Sequence, residues 1–321
     1  MRADGDLFTR AANNPLLTAN QWPYPMNSVF NPAAALYHGE TVLVCRVEDR
    51  RGVSHLTVAR SADGRTDWRV DPKPLIADDP QDATSCWGVE DARVTYIDEL
   101  GGYVIAYTNY GPGGPCVALA ITEDFHSIEP FGVVMPPEDK NASLFPRRIG
   151  DHFVLFHRPV SVMSARADVW LSRSKDLRSW TTPESVMQSR SGSWWDATRI
   201  GMGPPPLETP AGWLVVYHGV KQMVATSIYR VGLVLLDLED PTKVLRRTPS
   251  WVLGPDARYE RVGDVPNVVF PTGLVHDPAT DELRLYYGAA DSYVAMASAN
   301  RTEVLDYLLS LPPEPPHPVD R

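Results

Sequence analysis

Glu90 and Asp91, adjacent carboxylates in WGVEDARV, are the residues with the most evident chemistry. A carboxyl held in a pocket can give a proton to a leaving oxygen or take one from an attacking water. Four basic side chains, Lys140, Arg158, Arg199 and His218, come from four separate segments. Gathered at one place, they would bind an anion through charge-assisted hydrogen bonds. Each also has an ordinary reading: an Asp in a turn caps backbone amides, and Lys or Arg is usually solvated or ion-paired at the surface. With 30 Lys plus Arg against 40 Asp plus Glu, the net charge is −10. That balance argues against a general nucleic-acid surface, so any anion bound here needs a local basic pocket.

The elements that would gather these residues repeat along the chain. Five segments share one plan: a short strand, a polar turn, an alternating apolar strand and, after a variable loop, a third strand. The middle strands are predicted at 41–46 (TVLVCR), 103–108 (YVIAYT), 153–158 (FVLFHR), 213–218 (WLVVYH) and 283–288 (LRLYYG). Each follows a reversal signal: HGE at 38, GG at 101, IGD at 149, AG at 211 and DP at 277. The third strands run into polar turns, often followed by Trp, as in LTVARSADGRTDW, VALAITEDF, VWLSRSKDLRSW and VGLVLLDLEDP. The interval of roughly 50 to 70 residues suits propeller blades with loop insertions and exceeds most helical solenoid repeats.

The expected fold is therefore all-β, a five-bladed β-propeller with a short C-terminal helix near 302–309 and a mobile tail, PPEPPHPVDR. One domain over 1–321 is expected, with its core at about 14–300 and the helix and Pro-rich tail over 301–321. A two-sheet sandwich does not predict five copies of one plan. In a propeller the first strand of every blade lines the central channel, and small ligands sit at one mouth. The polar residues at those innermost positions are Asn31, Glu90, Asp91, Lys140, Asn141, Asp196 and Arg199, with aromatic Phe270 from the fifth blade.

Composition agrees and narrows the class. Hydrophobic residues at 43% and charged residues at 22% allow a sizeable core and exclude disorder over most of the chain. The 30 prolines, outnumbering 22 glycines, disfavour helices. Cys45, Cys86 and Cys116 are odd in number without CxxC spacing, so no disulfide framework or zinc site is expected. The start, MRADGDLFTRAANN, has no apolar signal core, and no apolar run approaches a membrane span; cytoplasm is the default. Neither a nucleic-acid nor a membrane partner is expected, and self-association into a homo-oligomer is left open. GPGG at 111–114 lacks the Lys and Ser or Thr of a phosphate-cradling loop and reads as a turn. The eight histidines show no metal-ligand spacing, so no metal is expected, and Trp194 with Trp195 reads as packing between blades.

Several segments carry a family resemblance. NPAA with CRVED, GVEDARV, KNASLFP with FHRP, WDATRIGMGPPPLETPAGWLVVYHG, and VVFPTGL with YYGAAD resemble, in the right order, glycoside hydrolase family 130. This is the family of the β-mannoside phosphorylases and related mannosidases, and the resemblance spans roughly residues 14 to 298. It implies a five-bladed propeller and reversible, inverting phosphorolysis of a β-mannoside to α-mannose 1-phosphate. It further implies that Asp91 is the proton donor, acting through the sugar's 3-hydroxyl, and that Lys140, Arg158, Arg199 and His218 hold phosphate. Asn31, Arg46 and Asp291 would surround the transferred mannose, with Tyr229 and Phe270 nearby and Glu90 beside the acid. Two positions depart from the family pattern: Arg199, where many relatives carry Lys, and Glu90, where others place an aromatic before the acid.

An inverting hydrolase needs an acid and a carboxylate base for water, whereas a phosphorylase replaces activated water by phosphate and needs only the acid. One carboxylate plus an anion site therefore suffices, with inorganic phosphate as co-substrate and no cofactor. The expected partners are a manno-oligosaccharide or mannosyl-sugar and phosphate. A mannosidase of the same family and a non-catalytic sugar-binding propeller are the alternatives.

Overall fold

The computed structural model describes residues 7–159 and 167–314. Its strands follow one another as antiparallel meanders. The first runs Ser28–Tyr37, Glu40–Glu48, Ser54–Ser61, Arg69–Val70, and the second Gly88–Ile97, Gly102–Gly111, Gly114–Thr122, Glu129–Met135. The third comprises Asp139–Leu144, Phe153–Pro159, Val169–Ser174 and Glu184–Met187. The fourth comprises Arg199–Met202, Gly212–Gln222, Ser227–Leu236 and Val244–Arg247, with Leu207–Thr209 also pairing to its second strand. The fifth runs Val269–Asp277, Glu282–Ala289 and Tyr293–Asn300, and its outer edge is Thr9–Arg10, from the other end of the chain. Every middle strand expected from the sequence lies within an observed one.

Local chemistry explains the hairpins. His38 and Gly39 both have positive φ, 48° and 82°, between the paired residues Tyr37 and Glu40. That is the two-residue reversal whose twist matches the flanking strands. Backbone pairing between successive meanders is sparse and parallel: Ser54 pairs with Gly88, Ala167 with Arg199 and Tyr229 with Val268.

Side-chain packing runs in a cycle. Val44, Leu56, Val94 and Ile105 join the first meander to the second, and Val104, Leu119, Leu144 and Leu155 the second to the third. Phe156, Leu171, Val215 and Val234 join the third to the fourth, and Val216, Leu233, Leu283 and Leu285 the fourth to the fifth. Leu43, Cys45, Tyr286 and Met296 return from the fifth to the first. The leading strands of the first four meanders pack side by side in the same order, and that of the fifth packs on the first and on the second and third strands of the fourth.

The C-terminal helix spans Arg301–Ser310, with Asn300 capping the Glu303 amide and Val304 and Leu308 buried. A further helical turn, Arg258–Arg261, is not foreseen by the sequence pattern. The start of the Pro-rich tail touches the body, Glu314 N donating to Leu245 O at 3.2 Å; residues 315–321 lie outside the described residues. Among the described residues no helix is long and apolar enough to cross a membrane.

Candidate functional site

Three leading strands break register at corresponding places, between Phe30 and Ala33, Glu90 and Arg93, and Lys140 and Ser143; the fifth does so between Pro271 and Gly273. In the first three the residue at the break is left-handed: Asn31 at φ 45°, Asp91 at 49° and Asn141 at 56°. Such a bulge re-aims a side chain out of the alternating pleat. A left-handed L-residue costs about 1–2 kcal/mol, least for Asn and Asp, so the residue types fit the conformation. Asp291, at φ 49°, lies in the turn after Glu282–Ala289.

These side chains open into one cavity of about 340 Å³. The eleven residues to which the resemblance gives site roles all line it: Asn31, Arg46, Glu90, Asp91, Lys140, Arg158, Arg199, His218, Tyr229, Phe270 and Asp291. Asn141, Val265 and Val268 complete the wall. Gly201 makes room for this convergence, since a Cβ there would stand 2.5 Å from His218 Cε1 and 2.6 Å from Asn141 Nδ2.

One side of the cavity is acidic and built around Arg46. Its guanidinium lies 3.2 Å from Glu48, 3.1 Å from Glu90 and 3.4 Å from Asp91, and its Nε donates to Ser54 Oγ at 2.9 Å. The ordinary pairing with Glu48 and the pocket role therefore coexist. Asp91 also accepts from Asn31 Nδ2 at 2.7 Å. Burial pushes the Asp91 carboxyl up, but Arg46, Arg93, the Asn31 amide and Lys140 outweigh it and hold it below the usual carboxylate range. Asp291 goes the other way: burial, against Arg46 and reinforced by Asp91, Glu48 and Glu90, raises it to about 7. The two carboxyls are thus driven apart, one ionised and the other near half-protonated at neutral pH.

The remaining polar lining is basic. Lys140, Arg158, Arg199 and His218 meet there, with Arg199 Nη2 donating to Tyr229 Oη at 2.8 Å and Arg158 Nη1 3.5 Å from His218 Nε2. Burial and then Arg199 lower Arg158 to about 10, which leaves it a cation at neutral pH. Burial also lowers Lys140, against the pull of Glu90. His218 corrects the expectation of four cations: burial, then Arg158, Arg93, Arg199 and Lys140, holds its imidazole well below the ordinary value. It is neutral, its ring centroid 4.5 Å from that of Phe270.

Asp196 is a second correction. It is fully buried away from the cavity, bound by Arg247 Nη2 at 2.7 Å and Tyr217 Oη at 3.0 Å. Of the neighbouring tryptophans, Trp195 is buried as expected, whereas Trp194 is 45% exposed beneath the Arg190 guanidinium. Sequence reasoning missed Arg93, which is fully buried and donates to the carbonyls of Asp91, Gly203 and Met202. Its signal was a lone cation inside an otherwise apolar alternation, ARV.

A family profile for glycoside hydrolase family 130, described as beta-1,4-mannooligosaccharide phosphorylase, matches residues 8–310. The beta-1,4-mannooligosaccharide phosphorylase of Ruminococcus albus is 33% identical over 95% of this chain and 92% of its own length. A beta-1,2-mannobiose phosphorylase of Listeria innocua is 36% identical over 80% of this chain and 69% of its own. The structure of a beta-1,2-mannobiose phosphorylase from Listeria innocua with beta-1,2-mannobiose superposes with a TM-score of 0.86 at 28% identity, covering 95% of this chain and 99% of that one.

Proposed function

The chain belongs to glycoside hydrolase family 130, and on that premise we propose that it is an inverting, hexosyltransferase-type phosphorylase. It cleaves the terminal β-mannosidic bond of a manno-oligosaccharide or mannosyl-sugar with inorganic phosphate and releases α-mannose 1-phosphate. The observation that carries this reading is the divided cavity: a buried, hydrogen-bonded Asp91 faces a basic cluster in a protein of net charge −10.

Phosphate takes the basic side, held by Lys140, Arg158 and Arg199 with His218 beside them. Mannose takes the acidic side, its hydroxyls met by Asn31, Arg46, Glu90 and Asp291 and its ring covered by Phe270 and Tyr229. A phosphate oxygen attacks the anomeric carbon opposite the departing sugar. The C–O bond to phosphate forms as the glycosidic C–O bond breaks, which inverts the centre, and Asp91 supplies the proton that the leaving oxygen gains. The surrounding cations favour the ionised form of Asp91. A bound phosphate offsets the charge of Lys140 and Arg93, which raises the Asp91 proton affinity when an acid is needed. The reaction as written uses phosphate as co-substrate and calls on no cofactor.

The same reading takes the five meanders as blades of one propeller domain. The cyclic order of the cores and the Thr9–Arg10 edge on the last meander support it. Incubation with β-1,2- and β-1,4-mannobiose, with and without phosphate, tests the activity. Phosphate-saturable release of α-mannose 1-phosphate is expected. Equal release of free mannose without phosphate would replace the phosphorylase by a mannosidase, and sugar binding without cleavage would leave a non-catalytic propeller.

A further inference from the structure

The third meander contains a buried polar chain that the reaction does not use directly. His157 Nδ1 lies 2.5 Å from Asp139 Oδ2, and His157 Nε2 lies 3.0 Å from Ser172 Oγ, which donates to Thr181 O at 3.1 Å. His157 is 1% exposed, Ser172 0% and Asp139 4%. Asp, His and Ser in a line have the composition of a hydrolytic triad, but this Ser is sealed from solvent and its hydroxyl is engaged with a backbone carbonyl. It has no route to a substrate.

The chain ends instead at the phosphate side of the cavity. Asp139 Oδ1 accepts the backbone N–H of Arg158 at 3.1 Å, and Asp139 precedes Lys140. Lys140 and Arg158 are cross-strand partners, at the last pair before the register breaks toward Ser143 and Phe156. On the other side of that pair Asp139 faces Pro159, which has no N–H to give to the ladder. The two basic residues therefore sit where the backbone ladder is interrupted on one side and short of a donor on the other. Side-chain partners give little: among the described residues the Arg158 guanidinium has the 3.5 Å approach of Nη1 to His218 Nε2, and its buried Nε is without a hydrogen-bond partner. The place of its guanidinium thus depends on its backbone together with that one long contact to His218.

We propose that Asp139 and His157, backed by Ser172, are positioning residues that fix the Lys140–Arg158 pair in the geometry that binds phosphate. The proposal rests on the phosphorylase reading above. The Asp139 carboxylate ties the leading strand to its neighbour, and the imidazole, locked between Asp139 and Ser172, keeps that carboxylate turned toward the Arg158 amide.

The test is steady-state kinetics of mannobiose phosphorolysis, with phosphate and sugar varied separately, on Asp139→Asn, His157→Asn and His157→Gln, alongside thermal unfolding. Asn at 157 puts an amide near the position of Nδ1 and can still donate to Asp139. Gln puts its amide nearer Nε2 and cannot replace that bond. We expect His157→Gln and Asp139→Asn to raise the phosphate KM about tenfold or more, with the mannobiose KM within about twofold of wild type and His157→Asn partly restored. A lowered Tm with both KM values unchanged would make the network merely structural and overturn the proposal. Equal behaviour of the Asn and Gln variants would also overturn it. Should the His157 variants fail to fold, near-isosteric Asp139→Asn carries the test alone. Wild-type cleavage that ignores phosphate would instead defeat the phosphorylase reading, an outcome visible before any variant is made.

Discussion

The Asn31 amide donates to Asp91 Oδ1 over 2.7 Å, joining the left-handed kinks of two neighbouring leading strands. The bond spans 60 residues of sequence and ties the acid to a group that can only stabilise its ionised form or turn its second oxygen toward a sugar. Both residues are nearly sealed from solvent, at 4% and 8% exposure. The carboxylate is thereby held in one orientation, which efficient proton transfer by the proposed acid requires.

Asp91→Asn keeps the shape and the tolerance for φ 49° but removes the proton. Turnover of mannobiose should fall on the order of 10²-fold or more, with the unfolding midpoint little changed. Near-normal turnover in that variant would take Asp91 out of the mechanism.

Gly288→Ala offers a second route to the same group. A Cβ at Gly288 would overlap Asn31 Oδ1 and stand 2.8 Å from its backbone N. Displacing Asn31 should misalign Asp91 and lower kcat about tenfold or more while phosphate affinity holds. Unaltered kinetics would mean that the Asn31–Asp91 bond does not orient the acid.

Removing a basic residue should act on phosphate. Arg158→Ala should raise the phosphate KM by about tenfold or more, because it takes one charge-assisted partner from the anion. Arg199→Lys keeps the charge and loses the bond from Nη2 to Tyr229 Oη, so a change of only a few-fold is expected. Isothermal titration with phosphate separates the two; equal losses would mean that the Arg199 guanidinium geometry and its bond to Tyr229 matter as much as a whole charge at 158.

Asp291 makes stability depend on pH. Its carboxyl is raised to about 7, chiefly by burial, from an ordinary value of 3.8. Between those values the folded state holds a proton that the unfolded state has released, so stability is fully present below about pH 4 and declines as pH rises through about 7. Asp291→Asn cannot ionise and should unfold at a higher temperature than wild type at pH 8, with the difference shrinking at pH 5. A difference that stays constant with pH would show that Asp291 is not the group responsible.

What the sequence by itself determined is the strand plan, because alternation and turn chemistry act over a few residues. VWLSRS at 169–174 and FVLFHR at 153–158 carry their strand character locally, and HG at 38–39 its reversal. The types of the pocket residues were legible for the same reason, and the family resemblance assigned them roles. Tertiary structure decided where those side chains point and in what state. A bulge shifts the pleat by one residue, which turns Asn31, Asp91 and Asn141 into the cavity, and its position depends on the partner strand. Asp196, with the same credentials, was drawn into the core by Arg247, a partner 51 residues away. His218 looked like a cation until burial among Arg158, Arg93, Arg199 and Lys140 left it neutral, since proton affinity depends on charges that only folding brings near. Thr9–Arg10 found its partner strand at Ala297 and Ser298, a pairing no local pattern encodes because its two halves lie at opposite ends of the chain.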